Sequence, residues 1–480
     1  MSTHDDNLAM GRSVENKLQV KLVKALDYEE LMNCMRCGFC QPSCPTYQLT
    51  GLEAASPRGR IALMKAVADG VMEPDAAFKQ QLDLCLGCRA CEPVCPSDVK
   101  YGQLLEQAKD ALFEHSAEAG QEQRMRLIHR FMKPVFKNHT RLRRMSGLLQ
   151  TYQRSGLQRI ICKSRLLRWL PPQVQMMERV MPFADNAGVV KRVGGTHVAA
   201  KGKKIGTVGL FRGCVMDVVF TDTNVNTVRL LAESGYDVII PDEQACCGAL
   251  FAHSGDRDTA KELAKQNMSV FKIAGVDFIA SNAGGCGSML VEYAHLFDRE
   301  PEWKEAAMGF AAQVKDVAEL LLRSNHWTGG LFQRNMPLHA GVTLRDVAFP
   351  TAAIQSRDST CHETVDTITY QDSCHLRNVM RGSDGPRQLL RLLPDINFKE
   401  FEGAEMCCGS AGIYNLVQPD MANAIIDGKM QAIEEIKATV ILTSNPGCLL
   451  QMKIGVEREQ ANDRIKVMHV VDYFAEKVLK

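Results

Sequence analysis

The chain contains no apolar run that approaches the length of a bilayer span; its longest, such as "VILT" at 440–443, are the size of a β-strand. Its first residues, "MSTHDDNLAM", lack the basic start and apolar core of a secretory leader, so a cytoplasmic protein is expected. Neither sign of charge is in excess, with 57 Lys and Arg against 56 Asp and Glu, and no nucleic-acid partner is expected. No G-x-G-x-x-G follows a strand-like run, and neither a Walker loop nor a nucleophile elbow occurs. The stretch "VGGTHVAAKGKK" at 193–204 reads instead as a Gly/Lys linker. The sequence thus offers no seat for a dinucleotide and nominates no catalytic residue. At 480 residues it exceeds one compact core, so several domains are expected.

Cysteine is what abounds. Eighteen occur, and in a large chain without a leader they read as reduced, metal-binding thiols rather than disulfides. Residues 34–45 are "CMRCGFCQPSCP" and residues 85–96 are "CLGCRACEPVCP", the pattern C-x2-C-x2-C-x3-C-P twice over. Three thiolates at two-residue gaps wrap one face of a cubane. The fourth, set off by a longer gap and a proline, ligates the other cluster. This assigns Cys34, Cys37, Cys40 and Cys95 to one [4Fe–4S] cluster, and Cys85, Cys88, Cys91 and Cys44 to a second. A pair of zinc sites is the alternative, but zinc ribbons have no need of the third cysteine or of C-P. Between the motifs, Ile61, Met64, Lys65 and Ala68 recur at helical spacing until Gly70, which suggests an α-helical ferredoxin module. Arg58 and Arg60 either complement the anionic clusters or begin a solvated helix.

The second half repeats itself as well. One copy runs from "KIGTVGLFRGC", ending at Cys214, through "ACCGALFAHSGD" with Cys246 and Cys247, to "VDFIASNAGGC", ending at Cys286. The other runs from "DTITYQDSC" at Cys374 through "MCCGSAGIYN" with Cys407 and Cys408 to "TVILTSNPGC" at Cys448. The gaps agree to within one residue, and both copies close on similar pieces, "VKDVAELL" and "VMHVVDYF". Alternating strands and helices of this kind predict α/β units with parallel sheets. Such folds place their sites at strand ends, so the four cysteines of each copy should converge. Only Cys162 and Cys361 then stand outside a motif. His253 and His375 lie beside the cysteines, either as replacement ligands or, by default, as hydrogen-bonding core residues.

Two ferredoxin motifs followed by C…CCG…C twice resemble the cysteine-rich CCG-domain family, and within it the glycolate oxidase iron–sulfur subunits. "CGFCQPSCPTYQLTG", "SPRGRI", "CLGCRACEPVCPS", "CCGA" and "CCGSAGIYNL" carry the likeness over nearly the whole chain. The family also includes subunits for lactate utilisation, for anaerobic glycerol 3-phosphate oxidation and for heterodisulfide reduction. The resemblance implies an α/β protein with an N-terminal α-helical ferredoxin domain and two repeated CCG domains. Its expected organisation is residues 1–115 for the ferredoxin domain, 116–200 for a basic helical connector, 201–330 for the first CCG domain, 331–364 for a linker and 365–480 for the second. It implies an electron-transfer subunit that receives electrons from FAD-containing dehydrogenase partners and passes them towards quinone. The CCG cysteines would hold a further cluster or zinc. Heterodisulfide reductase closes each repeat on a C-x-x-C pair, whereas Cys286 and Cys448 stand singly here, which argues against its disulfide chemistry.

From 123 to 177 there is no Asp or Glu, while Arg124, Arg126, Arg130, Lys133, Lys137, Arg141, Arg143, Arg144, Arg154, Arg159, Lys163, Arg165 and Arg168 alternate with apolar residues, Phe136 and Trp169 among them. Such helices bind anionic lipid or an acidic partner, or simply link domains. Peripheral contact with the inner face of the cytoplasmic membrane is the expectation.

Overall fold

A computed structural model of the chain describes residues 17–118, 131–163, 172–298, 300–324 and 366–479. The expected linker at 331–364, Cys361, and basic residues such as Arg124, Arg126, Arg130, Arg165 and Arg168 lie outside the described residues.

The amino-terminal part is helical. Ser56 caps the helix Pro57–Ala68 by accepting from the Gly59 amide, Pro57 occupies its first position, and Gly70 follows it with φ 72°. Ile61, Met64 and Val67 turn one face inward against Leu22, Leu31, Phe78, Leu82 and Leu104. The long helix Tyr101–Glu118 closes this core and continues past residue 115.

Two sheets follow. In the first, β2 (Gly206–Phe211) lies between β3 (Tyr236–Ile239) and β4 (Phe278–Ser281), with β5 (Val314–Asp316) beyond β4 and all four parallel. In the second, β6 (Thr367–Gln371) lies between β7 (Asn397–Phe398) and β8 (Val440–Thr443), with β9 (Lys466–His469) beyond β8, again all parallel. The order is identical, so the repeat seen in the sequence is a repeat of topology. Val208 and Leu210 in β2, and all of β8, are buried, as strands covered on both faces must be. One difference breaks the match. The Gly/Lys stretch expected as a linker contains β1 (His197–Val198), which pairs antiparallel with β3 and extends the first sheet. A short antiparallel edge strand needs little hydrophobic patterning, and glycines flanking it hide the signal.

The repeats are packed on one another. Leu230 and Leu231 of helix Thr221–Glu233 share a core with Leu389, Leu390, Val471 and Phe474 of the second repeat. Asp472 accepts from Thr223 and Asn226 across this boundary, at 2.7 and 2.9 Å. The strand ends also meet: the Gly284 amide donates to the Ser444 carbonyl and the Gly285 amide to Asn445 Oδ1, while His469 Nε2 bonds the Asn282 carbonyl.

This close approach yields a test. A Cβ on Gly284 would stand 2.2 Å from Ser373 Oγ and 2.9 Å from the Leu376 Cβ, whereas one on Gly309, in the exposed part of helix Pro301–Gln313, meets nothing within 4 Å. Gly284→Ala is expected to lose about 1–3 kcal/mol by overpacking. Gly309→Ala should be neutral or stabilise by up to about 1 kcal/mol through helix propensity. Thermal unfolding of the two variants checks the contrast.

Candidate metal centres

The two ferredoxin loops hold their thiols through a shared backbone device. Residues 36 and 38 have φ 57° and 92°, and the corresponding residues 87 and 89 have φ 61° and 59°. Each loop thus needs two left-handed residues, and each spends one on glycine and one on arginine, in opposite order: Arg36 with Gly38, then Gly87 with Arg89. The thiols group across the motifs. Cys34, Cys37 and Cys40 line one cavity together with Cys95 and the neighbouring Cys91, and Pro96 and Tyr101 close it. Cys37 is exposed there and Cys34, Cys40 and Cys95 are half-buried. Burial, then the Cys88 and Cys85 thiols, with Cys44 also near, drive the Cys91 pKa well above its ordinary value. In this second group Cys44, Cys88 and Cys91 are buried.

Whether these residues suit an anionic cluster is answered by Arg60. Its guanidinium is fully buried next to Cys44 and Cys85. Nε donates to the Gln81 carbonyl (2.7 Å) and Nη2 to Thr46 Oγ1 (3.1 Å), but Nη1 has no acceptor. A buried N–H of a cation without a partner is costly. The sulfur atoms of a cluster on these thiols would satisfy it. Burial pushes the Cys85 thiol up, yet Arg60, the Tyr101 hydroxyl and the Gly87 amide outweigh that and bring it below the ordinary range. Arg58 is different: half-buried, it bonds Glu53 and donates to the Arg36 carbonyl at 3.0 Å, bracing the first loop.

In both repeats every cysteine lies past the carboxyl end of a strand. Cys214 follows β2, Cys246 and Cys247 follow β3, and Cys286 lies in the first turn of the helix Gly284–Val291 after β4. Cys374 follows β6, Cys407 and Cys408 follow β7, and Cys448 lies in the first turn of helix Pro446–Arg458 after β8. The glycine after each CC pair is left-handed, Gly248 at φ 91° and Gly409 at φ 89°, and backs onto Ala260 or Ala422 too closely for a side chain to fit easily. In the first set Cys246 Sγ is 3.6 Å from Cys214 Sγ, and Cys247 neighbours Cys246 and Cys286. In the second, Cys374 neighbours Cys407, and Cys408 lies between Cys407 and Cys448. The adjacent Cys246 thiol, then burial, pushes Cys214 up; Cys407, then burial, does the same to Cys374. Such thiols bind a cation only by releasing protons. Among the described residues no three His, Cys, Asp or Glu side chains converge as a single-ion shell requires. Each set is a string of neighbouring sulfurs.

The second ferredoxin loop is fastened to the second repeat. His375 Nε2 bonds the Gly87 carbonyl (3.0 Å), Asn378 Nδ2 donates to the Cys88 carbonyl (2.8 Å) and the Tyr414 hydroxyl to the Leu84 carbonyl (2.9 Å). Leu86, Cys88, Cys407, Tyr414, Ala422 and Ile425 form one buried cluster, in which the Cys407 thiol adjoins Cys88 and is the first cause of its raised pKa. His253 meets Glu106 at 3.0 Å and its ring lies 5.5 Å from that of His375, so both histidines act at the seam between domains. Arg89 bonds Glu92 and, in the first repeat, Glu292. The roles of Asn378, Tyr414 and Arg89 were invisible in the sequence, because their partners are 200 to 330 residues away.

In the connector, Lys133 and Lys137 pair with Glu262, and Phe136 packs edge-on against Phe251. Arg141, Arg144, Met145 and Leu148 share an exposed face of helix His139–Arg154. No helix among the described residues is long and apolar enough to cross a membrane.

Comparison with known proteins agrees with this arrangement. Residues 30–99 match the 4Fe-4S dicluster domain, and residues 208–291 and 368–453 each match the cysteine-rich domain named CCG. Residues 124–181 match the linker region of glycolate oxidase iron–sulfur subunits. The chain is 45% identical to a probable glycolate oxidase iron–sulfur subunit of Bacillus subtilis over 96% of its own length and 97% of the relative's. It is 29% identical to the glycolate oxidase iron–sulfur subunit of Escherichia coli over 88% of its length and 90% of that protein. Lactate utilization protein A of Oceanobacillus iheyensis is also 29% identical, over 55% of this chain and 95% of its own.

The Arg89 bridge is open to test. Its side chain and those of Glu92 and Glu292 are only 11%, 11% and 20% exposed. Arg89→Met leaves two half-buried carboxylates unpaired and should cost about 3–5 kcal/mol. Adding Glu292→Leu should recover part of the loss, read as a rise in the thermal midpoint of the double variant over the single.

Proposed function

The chain belongs to the family of glycolate oxidase iron–sulfur subunits, and on that premise we propose that it is the electron-conducting subunit of a glycolate (2-hydroxy acid) dehydrogenase. Cys34, Cys37, Cys40 and Cys95 would hold one [4Fe–4S] cluster and Cys85, Cys88, Cys91 and Cys44 the other. The nearness of Cys95 to Cys34, Cys37 and Cys40, and of Cys44 to Cys85 and Cys91, is the observation that supports this reading. Clusters of this type supply one-electron transfer and cannot take a hydride from carbon. Oxidation of glycolate to glyoxylate is therefore assigned to a flavin on FAD-containing partner subunits.

The chain's own residues set direction and insulation. Exposed Cys37 offers an edge at which a partner can donate electrons, while buried Cys44, Cys88 and Cys91 exclude water from the second group. The loop 84–88 then abuts Cys407 of the second repeat. The CCG cysteines Cys214, Cys246, Cys247, Cys286, Cys374, Cys407, Cys408 and Cys448 are proposed as further metal ligands, for a cluster or for zinc. Quinone is the proposed acceptor. The match over the linker at 124–181 favours glycolate over lactate or glycerol 3-phosphate as the substrate of the complex. Disulfide reduction by the isolated chain would contradict this assignment.

In the assembled complex, Cys37→Ser or Cys88→Ser is expected to abolish reduction of the acceptor while glycolate still bleaches the flavin of the partner. Full turnover in both variants, or an anaerobically purified chain free of iron, would refute the reading.

The exposed stripe Arg141, Arg144, Met145 and Leu148 supports attachment to an anionic membrane surface. The chain should co-sediment with phosphatidylglycerol-rich vesicles at low salt and release at high salt. Met145→Glu with Leu148→Glu should weaken that binding at least tenfold. Equal recovery of both proteins in the supernatant would count against membrane attachment.

A further inference from the structure

We propose that Arg60 gives the electron relay its direction: a buried, uncompensated positive charge behind the second ferredoxin motif holds that centre at a higher reduction potential than the first, so that an electron entering at the rim moves inward. The inference rests on the electron-conducting role proposed above and goes beyond it, because it assigns the order of the two potentials and names the side chain that sets it.

Burial alone would set the opposite order. Reducing a thiolate-bound cluster adds negative charge, and removal from water penalises that charge. Cys44, Cys88 and Cys91 of the second group are buried, whereas the first group includes the exposed Cys37. With nothing else acting, the first centre would be the easier to reduce and an electron would stay at the surface. A fixed cation in a water-free site reverses this, because its attraction for the added charge is little screened there.

Two arginines stand near the ferredoxin thiols, and only one is available for that role. Arg58 is neutralised by Glu53, its Nε donating to Oε1 at 2.7 Å and its Nη2 to Oε2 at 3.0 Å. Arg60 is fully buried, and no carboxylate among the described residues pairs with it. Its contacts lead to sulfur instead. Nη2 donates to Thr46 Oγ1 at 3.1 Å, and that oxygen lies 3.2 Å from Cys44 Sγ. Nη1 has no acceptor. On the same group the Tyr101 hydroxyl and the Gly87 amide each donate to Cys85 Sγ at 3.4 Å. Positive charge and hydrogen bonds at the ligating sulfurs both favour the reduced cluster. In the transfer the first centre loses one electron and the second gains it, with no proton exchanged and no bond broken.

The test is a reductive titration of the full chain, purified anaerobically and followed by EPR. Each signal is assigned by its loss or change in Cys37→Ser or Cys88→Ser. In the half-reduced native chain the electron should favour the second centre at least tenfold, a gap of about 59 mV for a one-electron couple. Arg60→Gln, which removes the charge but keeps a donor for Thr46, should cut that preference at least tenfold by lowering the second potential alone. Arg60→Lys should restore most of it, and Arg58→Met should move neither potential by as much as tenfold. If Arg60→Gln assembles no second centre, Arg60→Lys decides, since its retained charge should keep the second potential above the first. A first centre at the higher potential in the native chain, an unmoved second potential in Arg60→Gln, an equal shift in Arg58→Met, or a second potential below the first in Arg60→Lys would each overturn the proposal. A reduced chain without any iron–sulfur signal would instead defeat the electron-conducting role.

Discussion

Crowded thiolates repel one another and resist burial, and the rest of this structure depends on how that cost is met. Two devices recur. Strained left-handed residues let short loops fold back so that several sulfurs face one point, and buried cations stand behind the sulfurs. Arg60 shows the second most plainly, a guanidinium sealed from water with one N–H left over for whatever the thiols hold. The helical core of the amino-terminal part, the capped helix Pro57–Ala68 included, serves to keep that side chain in place.

The two α/β repeats solve a different problem with one topology. Parallel strands deliver all their carboxyl ends to the same edge, so cysteines that are far apart in sequence become neighbours. Packing the repeats together turns those edges towards one another, and the hydrogen bonds from Gly284, Gly285 and His469 bind them there. The two repeats share one frame, while single positions within it, such as Asn267 and Lys429, differ.

Much of this was legible in the sequence because it is written in local spacing. The 3.6-residue rhythm at 61–68 marked a real helix, and "VILT" is β8 to the residue. The repeat predicted parallel sheets, and both are parallel through four strands. What local pattern cannot carry was missed. β1 is two residues long and owes its existence to the edge of β3. The histidines 253 and 375, ambiguous as ligands in sequence, found partners at a domain seam through tertiary contact alone. Arg58 and Arg60 looked equivalent two residues apart, yet helical geometry leaves one half-buried against Glu53 and sends the other into the core.

With Cys95 beside the first motif and Cys44 beside the second, neither half of the ferredoxin region would, on the proposed assignment, be self-sufficient. Removing either motif would strip its neighbour of a sulfur. On that assignment, assembly would resemble fastening a double clasp, because neither site could be completed from its own motif alone.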